Sequence, residues 1–123
     1  MTVQEKPPRK SGLAHFFAAA GYSLGGLQRL SRESAFRQEV ALIVGLLVVL
    51  VIFGASLPEV LGMLAIGLAL IAVEALNTAI EVLVDHLSPG WSQFAKDAKD
   101  LGSLAVACTI GVLLIYSAVV LIC

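Results

Sequence analysis

The sequence has little charge for its length. Only 14% of its 123 residues are Asp, Glu, Lys or Arg, whereas 59% are hydrophobic. A soluble domain carries about 25% charged residues, so this composition argues against a soluble protein. The mean hydropathy of +0.94 points the same way. We therefore predict an integral membrane protein.

Several common sequence features are also absent. The two cysteines, Cys108 and Cys123, lie too far apart on one apolar segment for a disulfide, and we expect single buried thiols. No G-x-x-x-x-G-K-[ST] motif or soluble-kinase signature occurs, so any nucleotide site must be built differently. The charges spread through residues 1–39 argue against a cleaved signal peptide. The net charge of −1 gives no sign of a nucleic-acid partner.

Three apolar segments remain, and they occupy residues 40–57, 60–73 and 101–123. They predict an all-α membrane protein with three transmembrane helices, over about 36–57, 58–87 and 93–122. The second helix should start at a capping box, Ser56-Leu57-Pro58-Glu59, and stop at Ser88-Pro89-Gly90. At about 1.5 Å per residue it would be roughly 44 Å long, against roughly 30 Å for the hydrocarbon core of a bilayer.

The N-terminal part of the chain is more polar. Residues 1–10 contain adjacent prolines and four charges, which predicts a disordered tail before a membrane domain over 11–123. Residues 12–31 place their apolar side chains within about 100° of one helix face, which predicts an amphipathic surface helix or a simple anchor. These side chains are Leu13, Phe16, Phe17, Ala20, Leu24 and Leu27.

Lysines and arginines cluster before the first predicted span and between the second and third, whereas the short link around 57–59 has none. Cytoplasmic loops carry such an excess of cations. The N-terminus should therefore be cytoplasmic, and the C-terminal Cys123 should lie on the opposite side of the membrane.

The second predicted span carries a polar stripe. Glu74, Asn77, Glu81 and Asp85 fall within about 80° of one helix face. Glu74 would lie about 21 Å along the helix from Val60, still in lipid but near the cytoplasmic surface. A carboxylate at such a depth costs about 2.5–3.5 kcal/mol, so it needs a partner or a task. A single protonated glutamate could simply hydrogen-bond a neighbouring helix and stabilise helix packing. A series of acids that runs from the lipid to the water favours a functional site instead.

Polar residues of the other two predicted spans reach the same level. A carboxylate pair such as Glu33 and Glu81 suits Mg²⁺, which takes one or two carboxylates together with phosphates. Lys99 could neutralise phosphate oxygens, and Glu74 could take the proton of an alcohol held at headgroup depth. The pattern favours phosphoryl transfer from a nucleotide to a membrane alcohol. The converging residues are Glu33, Arg37, Glu39, Lys96, Lys99, Asp100 and Ser103.

Four segments carry a family resemblance: AAGYSLGGL (19–27), ESAFRQE (33–39), EALNTAIEVLVD (74–85) and AKDLGS (98–103). In order and spacing they resemble the bacterial integral-membrane diacylglycerol kinase family, over about residues 13–123. The resemblance implies a homotrimer of three-span subunits in the bacterial inner membrane, with active sites shared between subunits and a periplasmic C-terminus. The implied reaction uses MgATP to phosphorylate diacylglycerol to phosphatidate.

The resemblance also implies roles for particular residues. The catalytic base would be Glu74, assisted by Asn77, Lys99 and Asp100, and the metal ligands would be Glu33 and Glu81. The ATP contacts would be Tyr22, Glu33, Glu81, Gly90, Trp91, Ser92, Lys99 and Asp100. The lipid-substrate contacts would be Ser23, Ala35, Phe36, Gln38, Glu74 and Ser103.

The chain departs from the family pattern at two points. His15 stands where the family has an arginine near the nucleotide, which makes any positive charge there dependent on pH. The stretch between GYS and ESAFRQE is also one residue shorter, which affects the assignments around 27–32.

Two alternative functions remain open from the sequence. One is a kinase of the same family that acts on a polyprenyl alcohol such as undecaprenol, although AFRQE looks more like the diacylglycerol branch. The other is a proton-coupled transporter subunit in which Glu74 carries the proton. A transporter predicts acids distributed through the membrane depth, whereas the interiors of the first and third predicted spans carry none.

Overall fold

The computed structural model describes residues 3–123; residues 1 and 2, the start of the predicted disordered tail, lie outside the described part. The fold is all α-helical. Three of its four helices, α2, α3 and α4, are long and apolar enough to cross a membrane, as the sequence predicted. The helices are α1 (Gly12–Leu30), α2 (Ser34–Ile52), α3 (Leu57–Leu87) and α4 (Gln93–Ile122).

The ends of α3 follow local sequence rules. The backbone N–H of Ser56 donates to Glu59 Oε1 at 2.9 Å, and the N–H of Glu59 donates to Ser56 Oγ at 3.4 Å. This is the predicted capping box, which satisfies two backbone donors at the start of the helix. The helix ends at Leu87, directly before the predicted Ser-Pro-Gly stop.

Helix α2 ends at Ile52, before the boundary near residue 57 expected for the first span. The cause is Gly54, whose φ of +83° is a left-handed conformation that glycine adopts without a steric penalty. The N–H of Ala55 donates to Leu50 O at 2.9 Å, and the N–H of Gly54 donates to Val51 O at 3.1 Å. These two bonds form a Schellman motif, which closes the helix and turns the chain toward α3.

The core is a narrow apolar seam between α2, α3 and α4. Three helices enclose only this seam, so most large apolar side chains remain on the outside of the single chain. Cys108 and Cys123 are among the exposed residues, which corrects the expectation of buried thiols. The seam consists of Ile43, Leu50, Met63, Leu70, Val106 and Leu113.

The end of α4 is tied to the start of α3. The Tyr116 hydroxyl donates to the backbone carbonyl of Glu59 at 2.7 Å. The ring lies against Gly62, where any larger residue would overlap the Tyr116 hydroxyl. This contact fixes how far α4 slides along α3, and therefore sets which residues of the two helices meet at their other ends.

Candidate active site

The polar stripe of α3 passes from the interior of the helix bundle to its surface. Glu74 is 3% exposed and Asn77 is 8% exposed. Glu81, one turn further along, is half-buried, and Asp85 is exposed. The spacing of the four residues keeps them on one side of the helix. Burial therefore decreases steadily toward the Leu87 end of α3, in the order that the sequence predicted.

Asn77 lies between α3 and α4. Its Nδ2 donates to Glu81 Oε1 at 3.3 Å. Its Oδ1 is buried without a hydrogen-bond partner and packs directly against Gly102 of α4. The close approach of the two helices at Gly102 thus holds the amide, and the amide in turn orients the Glu81 carboxylate.

A polar pocket of about 340 Å³ opens where α3 ends and α4 begins. It contains five of the residues that the sequence assigned to the nucleotide, which are Gly90, Trp91, Ser92, Lys99 and Asp100. The remaining lining residues are Asp85, Ser88, Pro89, Ala95 and Lys96.

The loop that forms one wall of the pocket is held by its own side chains. The Ser88 hydroxyl donates to the carbonyl of Gly90 at 3.0 Å and lies 2.7 Å from the Ser92 hydroxyl. Such side-chain bonds stabilise a tight loop without regular structure. The loop therefore presents its residues to the pocket in a defined arrangement.

Two ion pairs line the pocket. Lys99 Nζ lies 2.6 Å from Asp85 Oδ1 and links α4 to α3. Lys96 Nζ lies 2.6 Å from Asp100 Oδ2 within α4. Asp85 belongs both to the polar stripe and to the lining, so the pocket opens at the exposed end of the stripe.

The remaining predicted ATP contacts lie outside the pocket lining. Tyr22 is an exposed residue of α1, and Glu33 stands at the junction of α1 and α2. Glu33 Oε1 accepts a hydrogen bond from Arg29 Nη1 at 2.6 Å. Glu81 is also outside the lining and lies one turn of α3 before Asp85, which does line the pocket. Within one chain, Lys99 is therefore at the pocket, Glu81 is one turn away from it and Glu33 is at the α1–α2 junction.

The predicted lipid contacts are spread over three helices. Ser23 lines an apolar cavity of about 690 Å³ between α1 and α3, together with Thr78. Ala35 and Gln38 are exposed on α2, whereas Phe36 is buried. Ser103 is exposed on α4, next to Gly102.

Sequence analysis placed Glu39 among the polar residues at the level of the stripe, but it did not predict that Glu39 is buried or that Thr78 contacts Glu74. The Thr78 hydroxyl donates to Glu74 Oε1 at 3.5 Å. Glu39 of α2 is only 6% exposed, so it is buried like Glu74. The sequence did contain a signal, because Glu39 follows Phe36 by three residues and precedes Ile43 by four. This spacing places an acid on the buried face of its helix.

Known proteins match this chain over most of its length. The sequence model of the prokaryotic diacylglycerol kinase family matches residues 21–121. A diacylglycerol kinase of Sinorhizobium sp is 44% identical over 114 residues, which cover 93% of this chain and 83% of that protein. The diacylglycerol kinase of Pseudomonas aeruginosa is 39% identical over 114 residues, 92% of this chain and 93% of that protein. That of Escherichia coli K12 is 37% identical over 98 residues, 78% of this chain and 80% of that protein.

Proposed function

This chain belongs to the prokaryotic diacylglycerol kinase family, and from that premise we propose that it transfers the γ-phosphate of ATP to the hydroxyl of diacylglycerol, giving phosphatidate. The predicted family is confirmed, and the chain is an integral-membrane lipid kinase. The three relatives described above are each named diacylglycerol kinase, which favours neither an undecaprenol kinase nor a transporter subunit. The observation that carries the proposal is a pocket with two lysines at the exposed end of a polar stripe, whose other end is the buried Glu74.

In the proposed mechanism Glu74 acts as the general base. Its carboxylate takes the proton of the lipid hydroxyl as the hydroxyl oxygen forms a bond to the γ-phosphorus. The bond between the γ-phosphorus and the bridging oxygen breaks, and ADP leaves with that oxygen. Glu74 is suited to this role because it is buried in a helix long and apolar enough to cross a membrane, at a position that the sequence predicts to lie in lipid near the cytoplasmic surface.

ATP would occupy the pocket between α3 and α4. The ammonium group of Lys99 would meet the phosphate oxygens, in part replacing its ion pair with Asp85. Asp100, paired with Lys96, would fix the other wall, and Asn77 would keep Glu81 oriented toward the phosphates. Residues 90–92 would contact the nucleotide from the loop, and Tyr22 would contact it from α1.

Mg²⁺ fits the donors that this chain offers. Within residues 3–123 no group of three or more His, Cys, Asp and Glu forms a metal cage. Magnesium in kinases does not need one, because it binds one or two carboxylates plus phosphate oxygens. In the hydrogen bonds described above, Glu33 and Glu81 each use only Oε1. In the proposed assembly, Glu81 of one subunit and Glu33 of the partner subunit would hold the ion, which would neutralise charge on the phosphates.

The assembly we propose is a homotrimer in the bacterial inner membrane, with the N-terminus in the cytoplasm and the C-terminus in the periplasm. The exposed apolar surface of the spans and of α1 supports this proposal, since a membrane or other subunits must cover it. Leu13, Phe16 and Phe17 are among the exposed residues of α1 that would enter the interface. The lipid would lie along Ser23, Ala35, Phe36, Gln38 and Ser103.

The substrate is tested by a competition assay. Purified protein in lipid bicelles receives labelled ATP with diacylglycerol and undecaprenol in equal amounts. We expect label in phosphatidate alone. Label in undecaprenyl phosphate would move the chain to the polyprenyl branch, and label in neither lipid would refute the kinase proposal.

The roles of the acids are tested by two matched amide variants. Glu74→Gln should abolish turnover and leave nucleotide binding nearly intact, because it removes the proton acceptor and nothing from the pocket. Glu81→Gln should weaken the binding of MgATP. Near-normal turnover by Glu74→Gln would show that Glu74 is not the base.

A further inference from the structure

Glu33 lies on the short link between α1 and α2, where no helix fixes the direction of its side chain. It is the N-cap residue of α2, and its backbone is extended, with φ −79° and ψ 129°. The free N–H groups of a first helical turn attract a carboxylate that stands in front of them. The Glu33 side chain nevertheless forms no hydrogen bond to the first turn of α2. Another contact must therefore set the direction of this carboxylate.

That contact is an ion pair with Arg29, in the last turn of α1. Arg29 Nη1 donates to Glu33 Oε1 at 2.6 Å. The pair crosses a helix boundary, because α1 ends at Leu30 and α2 begins at Ser34. Arg29 thus competes with the N-terminus of α2 for the carboxylate. In this structure the arginine holds it.

The backbone of the link is held from the other side, by Arg37 of α2. Its Nη1 atom donates to the backbone carbonyl of Ser31 at 3.1 Å and to that of Arg32 at 3.2 Å. These bonds fix the main chain directly before Glu33. The direction of the Glu33 carboxylate then depends on the side chain that bonds it, which is Arg29.

Arg29 is itself partly anchored. It lines the apolar cavity between α1 and α3, and its side chain is 46% exposed, so the rest of the side chain is covered. A partly covered side chain has less rotamer freedom to lose when it forms an ion pair. The planar guanidinium group also holds a carboxylate in a more defined orientation than an ammonium group does. Arg29 is therefore suited to orient its partner.

We propose that Arg29 is a positioning residue, which holds Glu33 Oε1 and so keeps the carboxylate turned away from its own helix and available to the magnesium ion of the bound nucleotide. This inference rests on the proposed role of Glu33 as a metal ligand. Loss of a hydrogen-bond donor that orients a metal-binding carboxylate costs about 10- to 100-fold in metal affinity or activity. An exposed ion pair contributes little to stability, so loss of Arg29 should affect metal binding much more than folding.

The first test measures binding rather than turnover. The intact protein in bicelles is dialysed against a labelled, non-hydrolysable ATP analogue, once with Mg²⁺ and once with a chelator. The ratio of the two Kd values gives the strengthening of binding by Mg²⁺. Arg29→Met keeps an unbranched apolar stem but no donor, and this ratio should fall by about 10-fold or more, with the Kd in chelator unchanged. Arg29→Lys keeps a cationic donor and should recover part of the ratio. An unchanged ratio in Arg29→Met would overturn the proposal.

Arg32→Met is the matched control. It removes an arginine of the same link whose side chain forms no ion pair within residues 3–123. Its binding ratio should equal that of the wild type, and both methionine variants should keep the unfolding midpoint of the wild type. An equal loss of binding in the two variants would show a general effect of positive charge. A lower midpoint in Arg29→Met alone would show a structural role, and either result would refute the proposal.

A double variant tests whether Arg29 acts through Glu33. Arg29→Met/Glu33→Gln should lose no more kcat/KM for MgATP than Glu33→Gln alone, whereas additive losses would contradict the proposal. Failure of this inference can be told apart from failure of the metal assignment. If Glu33→Gln keeps the strengthening by Mg²⁺, Glu33 is not a metal ligand and both proposals fail. If Glu33→Gln loses it and Arg29→Met keeps it, only the positioning role of Arg29 is wrong.

Discussion

A methyl group added at Gly102 should impair catalysis much more than stability. A Cβ atom at this position would overlap Oδ1 of Asn77, whose side chain packs against the bare backbone of α4. The Asn77 side chain is short and can rotate away, so the helices need not separate. Rotation would, however, break the hydrogen bond from Asn77 Nδ2 to Glu81 Oε1.

The magnitude follows from that bond. A hydrogen bond to a charged group contributes about 1.5–3 kcal/mol, which corresponds to a loss of roughly 10- to 100-fold in kcat/KM for MgATP. Stability should change little, because alanine is favoured over glycine in a helix by about 0.8–1 kcal/mol and this gain offsets the displaced amide. Steady-state kinetics in bicelles and the thermal unfolding midpoint of Gly102→Ala give the two quantities.

Gly111→Ala is the matched control, because it lies on the same helix and a Cβ there would meet nothing within 4 Å. Its kcat/KM should equal that of the wild type. The double variant Gly102→Ala/Asn77→Ala should be no worse than Asn77→Ala, since the glycine acts through the amide. Full activity of Gly102→Ala, or an additive loss in the double variant, would refute this reasoning.

Three further outcomes follow from the structure. Lys99→Gln should raise KM for ATP by roughly 10-fold or more, through loss of a charge-assisted bond to phosphate; an unchanged KM would mean that Lys99 serves only its ion pair with Asp85. Gly62→Ala should lower the unfolding midpoint with little effect on KM, because it displaces Tyr116 far from the pocket; a midpoint equal to that of Gly111→Ala would contradict this packing. Ser56→Ala should cost about 1 kcal/mol of stability through loss of the helix cap and leave kcat unchanged; thermal unfolding and turnover in the same bicelles check both.

The sequence predicted the features of this fold that depend on neighbouring residues. The capping box at 56–59 and the end of α3 after Leu87 each depend on four or five consecutive residues, and both appear as predicted. The graded stripe from Glu74 to Asp85 follows from helical spacing alone. The predicted end of α2 was several residues too late. The helix ends in a Schellman motif that requires a left-handed conformation at Gly54, and a single glycine inside an apolar segment does not by itself predict that conformation.

Contacts between helices could not be predicted in the same way. The ion pair of Lys99 with Asp85 and the contact of Asn77 with Gly102 each require the relative rotation and offset of two helices. Periodicity gives the face of one helix but not the height at which it meets another. Sequence analysis did place Glu39 at the level of the stripe, and its burial could have been predicted because it interrupts the apolar face of α2.

The clamp between Tyr116 and the first turn of α3 has a consequence for the lipids around the enzyme. It fixes α3 and α4 relative to each other, so that the length of the pair, roughly 46 Å for α3, does not change with the thickness of the bilayer. The level of Glu74 is then set by the protein, whereas the level of the glycerol hydroxyl follows the length of the acyl chains. Bilayers that are too thin or too thick should bring the two out of register, so membrane thickness itself becomes a determinant of turnover.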